Sequence, residues 1–106
     1  MGFRKHPLSR KALVALLEHN GFAEKQSEHK RKGSHVAYVR DQPLDDKPRR
    51  VDVDTAIDEF GTGSYSVLWY IVTSQLGFGQ GTAAWKRFYA GHPDTAKQHG
   101  LTYRKW

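Results

Sequence analysis

The sequence predicts an α+β fold in two layers: a three-stranded antiparallel sheet with helices on one face, in the order α-β-β-β-α, followed by short C-terminal helices. Two changes of period carry this expectation. Apolar residues first recur at helical spacing, as Leu13, Leu16 and Leu17, and then alternate with polar ones in HVAYVR (35–40) and RRVDVD (49–54). After Gly61 the helical spacing returns as Val67, Leu68, Ile71, Val72 and Leu76. A chain of 106 residues is long enough for one modest core and too short for two. Both helices therefore belong on the same sheet face, which leaves the other face open.

Residues 8–20 read as the first helix. Ser9 is placed to accept a hydrogen bond at its N-terminus, and Asn20-Gly21 ends it, with glycine supplying the left-handed conformation that closes a helix. Residues 22–30 are polar beyond Phe22 and Ala23, which fits an edge strand blunted by charge. In 49–54, Val51 and Val53 point one way and Arg50, Asp52 and Asp54 the other, as in a half-buried strand. Lys32-Gly33-Ser34 reads as a turn, and DQPLDDKP (41–48) as a longer loop. For the second helix, SYSVLWYIVTSQL, Thr62 or Ser64 is the expected cap, and Gly77-Phe78 the expected end. Gly79-Gln80-Gly81 is a hinge before a helix over 82–90, and His92-Pro93-Asp94 opens another that stops at Gly100. Residues 1–78 are thus expected to form the main body of the domain, with 79–106 a short helical extension of it.

Composition narrows the function. The net charge is +6, and it is unevenly spread: residues 1–50 carry 12 Lys or Arg against 6 acids, residues 51–85 none against 4, and residues 86–106 five against one. A basic half with histidines beside it suits a polyanion, and nucleic acid is the commonest inside a cell. The absence of cysteine excludes disulfides and thiolate metal sites, and makes an intracellular, cytoplasmic home the simplest expectation. No stretch has the length of a membrane span, and the apolar run near the N-terminus is broken by Glu18, His19 and Asn20. The histidines are scattered and show no metal-site spacing, so neither a metal nor another cofactor is expected.

The stretch HKRKGSHVAYVR (29–40) sets three cations, a glycine, a serine and a histidine directly before an alternating strand. Together with a helix ending in NGF, a third strand RRVDV and a helix opened by FGTGSYSVL, it resembles the HicA family of toxins from bacterial toxin-antitoxin pairs over roughly residues 8–78. The resemblance implies a fold like the double-stranded RNA-binding domain and metal-independent cleavage of mRNA. It also implies that activity depends on the GSH histidine, which is His35 here, and that a cognate antitoxin covers the His35 face. One departure stands out. After the third strand the family carries a proline, often with a histidine nearby, whereas this chain has Asp54-Thr55-Ala56-Ile57-Asp58-Glu59.

The residues of the stretch suit such chemistry. If Val36 and Tyr38 face the helices, His35 lies on the open face, where it would take the proton of a ribose 2′-OH or supply one to the leaving 5′ oxygen. Lys30, Arg31 and Lys32, with Gly33, Ser34, Arg40, Arg49 and Arg50, are the candidate phosphate contacts. The plainer alternative for the lysine-rich run is a solvated hairpin tip. Most of the aromatics Trp69, Tyr70, Trp85, Phe88 and Tyr89 read as core rather than base-stacking surfaces. Two functions remain in competition: an endoribonuclease toxin, and a non-catalytic nucleic-acid-binding or regulatory protein of a phage or mobile element with the same fold. The intact GSH favours the first and the acidic 54–59 segment the second.

Overall fold

The computed structural model describes residues 3–25 and 35–106. Its elements are β1 (Leu8–Ser9), α1 (Arg10–His19), β2 (Phe22–Glu24), β3 (His35–Arg40), β4 (Arg50–Asp54), β5 (Glu59–Phe60), α2 (Val67–Tyr70) continuing into a π turn (Ile71–Gln75), α3 (Thr82–Ala90) and α4 (Pro93–Gln98). The fold is α+β. Its main sheet is three-stranded and antiparallel in the order β2-β3-β4.

Register explains the layers. Val36 lies opposite Val53 and Tyr38 opposite Val51, so one sheet face carries the apolar set. Val51, Val53, Tyr38 and Phe22 are buried in one cluster with Leu13, Leu16 and Leu17 of α1 and with Leu68, Ile71, Val72 and Leu76 of the second helical segment. His35, Ala37 and Val39 alternate to the other face, opposite Asp54, Asp52 and Arg50.

Helix α1 begins as its sequence predicts: Ser9 is extended and accepts from the Ala12 amide at 3.0 Å. It closes on Gly21 at φ 88°. An unanticipated feature precedes it. Leu8 and Ser9 pair with Phe60 and Glu59 as a small second sheet, and Arg10 donates to the carbonyls of Thr55 and Ile57 and to Asp58. The 54–59 segment thereby becomes an anchor for the start of α1.

The second helix departs from expectation in two ways. Its cap is Ser66, which accepts from the Trp69 amide at 3.1 Å, rather than Thr62 or Ser64. Those two residues lie in or before a turn in which the Ser66 amide bonds the Gly63 carbonyl and Tyr65 takes φ 63°. The segment also widens after Tyr70: the Leu76 amide reaches back five residues to the Ile71 carbonyl. The Thr73 hydroxyl donates to the Trp69 carbonyl at 2.8 Å, occupying the acceptor that the regular α ladder would use.

The extension over 79–106 is part of the core. Trp85, Phe88 and Tyr89 of α3 are buried in the same cluster as the sheet. Asn20, 1 % exposed, donates to the carbonyls of Leu16 and Gly91 and accepts from the Trp106 amide. These bonds join the end of α1, the end of α3 and the C-terminal strand of chain.

Candidate functional site

His35 opens β3 on the open face, with its side chain 63 % exposed. Its cross-strand neighbour is Asp54, whose Oδ2 lies 4.0 Å from His35 Nε2. That is too long for a hydrogen bond and at the outer limit of ion-pair contact. The Asp54 carboxylate is itself oriented, since Oδ1 accepts from the Ala56 amide at 2.9 Å. A histidine beside an oriented carboxylate is an arrangement that general acid-base chemistry can use.

Beside this pair runs a groove of about 430 Å³ lined by His35 and Asp52 on the sheet and by Tyr65, Val67, Trp69 and Tyr70 at the start of α2. Tyr65, Tyr70 and Val67 are 86 %, 52 % and 44 % exposed, and the Tyr65 and Trp69 rings meet at 5.0 Å. Exposed aromatic rings of this kind can stack on planar groups. The π turn completes the wall. It brings Gln75 to the β4 edge, where Oε1 accepts from the Asp52 amide at 3.2 Å and Nε2 donates to the Asp52 carboxylate at 3.4 Å.

The other candidates divide into three groups. Lys30, Arg31, Lys32, Gly33 and Ser34 lie outside the described residues. Arg50 shares the open face with His35, and its guanidinium is paired with Asp52 at 3.1 Å. Arg40 and Arg49 lie elsewhere. Arg40, at the far end of β3, alternates to the helix side and spreads over the Phe22 ring at 5.8 Å. The Arg49 guanidinium packs against Gly77, at the end of the π turn. Arg40 Nη1 and Arg49 Nε are buried without hydrogen-bond partners.

Sequence reading missed Asp54, Tyr65 and Gln75 as site residues. In the sequence Asp54 reads as part of a charged strand face, as a source of repulsion toward RNA, or with Asp52, Asp58 and Glu59 as a possible cation ligand, because its pairing with His35 depends on strand register. The aromatic content of the second helix was a visible signal, whereas the exposure of Tyr65 follows from a turn that no local pattern announces. Among the described residues, no three His, Asp or Glu side chains converge as a metal ion would require, and no helix is long and apolar enough to cross a membrane. Comparisons with protein-family models, curated proteins and solved structures find no match to this chain.

Proposed function

We propose that the chain is a HicA-like endoribonuclease toxin, a metal-independent mRNA interferase built on a fold like the double-stranded RNA-binding domain and acting in the cytoplasm. The observation that carries this reading is the His35–Asp54 pair on an open sheet face, at the mouth of an aromatic groove. RNA supplies its own nucleophile. As the 2′-OH attacks the adjacent phosphorus, His35 takes its proton, Asp54 balances the charge, and the imidazolium then protonates the departing 5′ oxygen. A base flanking the scissile phosphate stacks on Tyr65 or Tyr70. Lys30, Arg31 and Lys32, with Gly33 and Ser34, hold the phosphate, and a cognate antitoxin silences the enzyme by covering the His35 face.

A second reading keeps RNA binding without turnover. It is favoured by Asp52 and Asp54, whose carboxylates oppose a phosphate at His35 itself and leave binding to the basic residues away from it. Cleavage assays separate the two. His35→Ala is expected to lower RNA cleavage by roughly 10²-fold or more and to relieve growth inhibition, with an unchanged thermal midpoint. Asp54→Asn, which keeps an oxygen for the Ala56 amide, should give a smaller loss. Products should carry 5′-hydroxyl and 2′,3′-cyclic or 3′-phosphate ends, persist in chelator, and vanish when the 2′ oxygen is removed. Cleavage that survives His35→Ala, or that yields 5′-phosphates, overturns the mechanism. Binding with no cleavage by the wild-type chain selects the second reading.

A further inference from the structure

Residues 101–106 fold back over α3. The Arg104 amide donates to the Ala90 carbonyl at 2.8 Å, and the Trp106 indole N–H to the carbonyls of Arg87 and Phe88 at 3.0 and 3.2 Å. The indole lies so close to Gly91 that no Cβ fits there. This return encloses a cavity of about 500 Å³ with an apolar floor of Ala90, Leu101 and Trp106. Its rim holds four cations, Lys86, Arg87, Arg104 and Lys105, and one acid, Asp45.

That acid is already engaged. Arg87 binds the Asp45 carboxylate through two bonds of 2.8 and 3.0 Å, with its guanidinium 4.2 Å over the Phe78 ring. The hydrogen bond from Arg87 holds the Asp45 carboxyl below its usual range, and the charges of Arg87, Arg49 and Arg40 add to the effect. Lys86, Arg104 and Lys105 are exposed, and Asp45, the rim's acid, is committed to Arg87.

We infer that this C-terminal pocket is a second nucleic-acid contact, in which Lys86, Arg104 and Lys105 hold phosphates of a single RNA strand and the Ala90–Leu101–Trp106 floor receives a base. The ligand class rests on the RNA reading of the His35 site; the pocket itself rests on its own residues. Cations around a floor that includes an aromatic ring suit the phosphate and the planar base of one nucleotide together.

The test is binding of a short, labelled, single-stranded oligodeoxynucleotide, which lacks the 2′-OH and so cannot be cut. Failure of the cleavage mechanism leaves this measurement intact. Replacing Lys86, Arg104 and Lys105 together by Ala is expected to weaken binding about tenfold and to lower the slope of log affinity against log salt by about 2, at roughly 0.7 for each lost contact. In the unaltered chain, the oligonucleotide should also shift the indole N–H resonance of Trp106, which reports occupancy even if the triple variant folds poorly. An unchanged slope in a folded variant, or a Trp106 signal that does not move on saturation, overturns the proposal. Displacement of the oligonucleotide by polyglutamate at equal charge concentration also overturns it, and would assign the pocket to an acidic protein segment.

Discussion

His35 and His99 are the same side chain in opposite settings, one open to solvent and one packed against an aromatic ring. His35 stands mostly in solvent opposite a carboxylate. His99 stacks on Tyr89 at 3.8 Å and 14°, its Nδ1 lies 2.7 Å from the Thr95 carbonyl oxygen, and its Nε2 is buried without a partner. Burial pushes the His99 imidazole below its ordinary value of 6.5, the nearby His6 acts in the same direction, and the Thr95 carbonyl partly opposes both. His19 is shifted the same way, by burial and then by His92 and Lys105. The folded chain therefore favours neutral rings, while the unfolded chain takes up protons as pH falls through 6.5. Stability from these groups is complete above that pH and is lost progressively below it. The thermal midpoint should decline on acidification through the histidine range, and His99→Phe, which keeps an aromatic on Tyr89, should flatten the decline. A midpoint with the same pH dependence in both proteins would remove His99 from the account.

At the scale of the element, the informative segment is α2 with its π turn. Four α-helical residues follow the Ser66 cap before the turn widens, with the Thr73 hydroxyl donating to the Trp69 carbonyl, and the widened turn carries Gln75 to the β4 edge. The segment then ends through Gly77 at φ 73°, with the Phe78 amide reaching the Val72 carbonyl at 3.1 Å. Glycine is needed here twice over. A Cβ would strain the left-handed backbone and would stand 2.5 Å from the Arg49 guanidinium. Gly77→Ala is accordingly expected to cost about 1–2 kcal/mol from the backbone term alone, with more if Arg49 cannot move aside. Urea titration measures this, and a variant as stable as the parent would show that the helix end relaxes freely.

For the whole molecule, the decisive joint is Asn20. Its amide bonds Leu16 and Gly91 at 2.8 and 2.9 Å, and its oxygen takes the Trp106 amide at 2.8 Å, all around a side chain almost wholly out of solvent. Trp106 in turn stacks on Phe88 at 5.7 Å and meets Phe22 and Phe78 edge-on. Asn20→Ala removes three bonds and leaves the Gly91 carbonyl and the Trp106 amide without them. The expected loss is about 2–3 kcal/mol. Because the C-terminal return is tied through this residue, the Trp106 indole N–H resonance should also move. A variant of unchanged stability would mean that residues 79–106 are held by their aromatic packing alone.

The α+β class, the strands at 35–40 and near 50–54, the Ser9 cap, the left-handed glycines at 21 and 77 and the helix at 82–90 are all legible along the chain. Each is written in local periodicity or turn chemistry, which short stretches express without help from distant ones. The sequence also placed His35 on the open face, because alternation along a strand fixes the side of every residue once Val36 and Tyr38 are buried. What stands beside His35 comes from packing between distant segments. Asp54 arrives through strand register, Tyr65 through a turn, and Gln75 through a π turn. The same holds for Asn20, readable as a helix end but not as the tie to Gly91 and Trp106, and for the separation of Arg40 and Arg49 from His35. Contacts between residues 71 or 86 positions apart carry no local signature, since they depend on how completed elements pack.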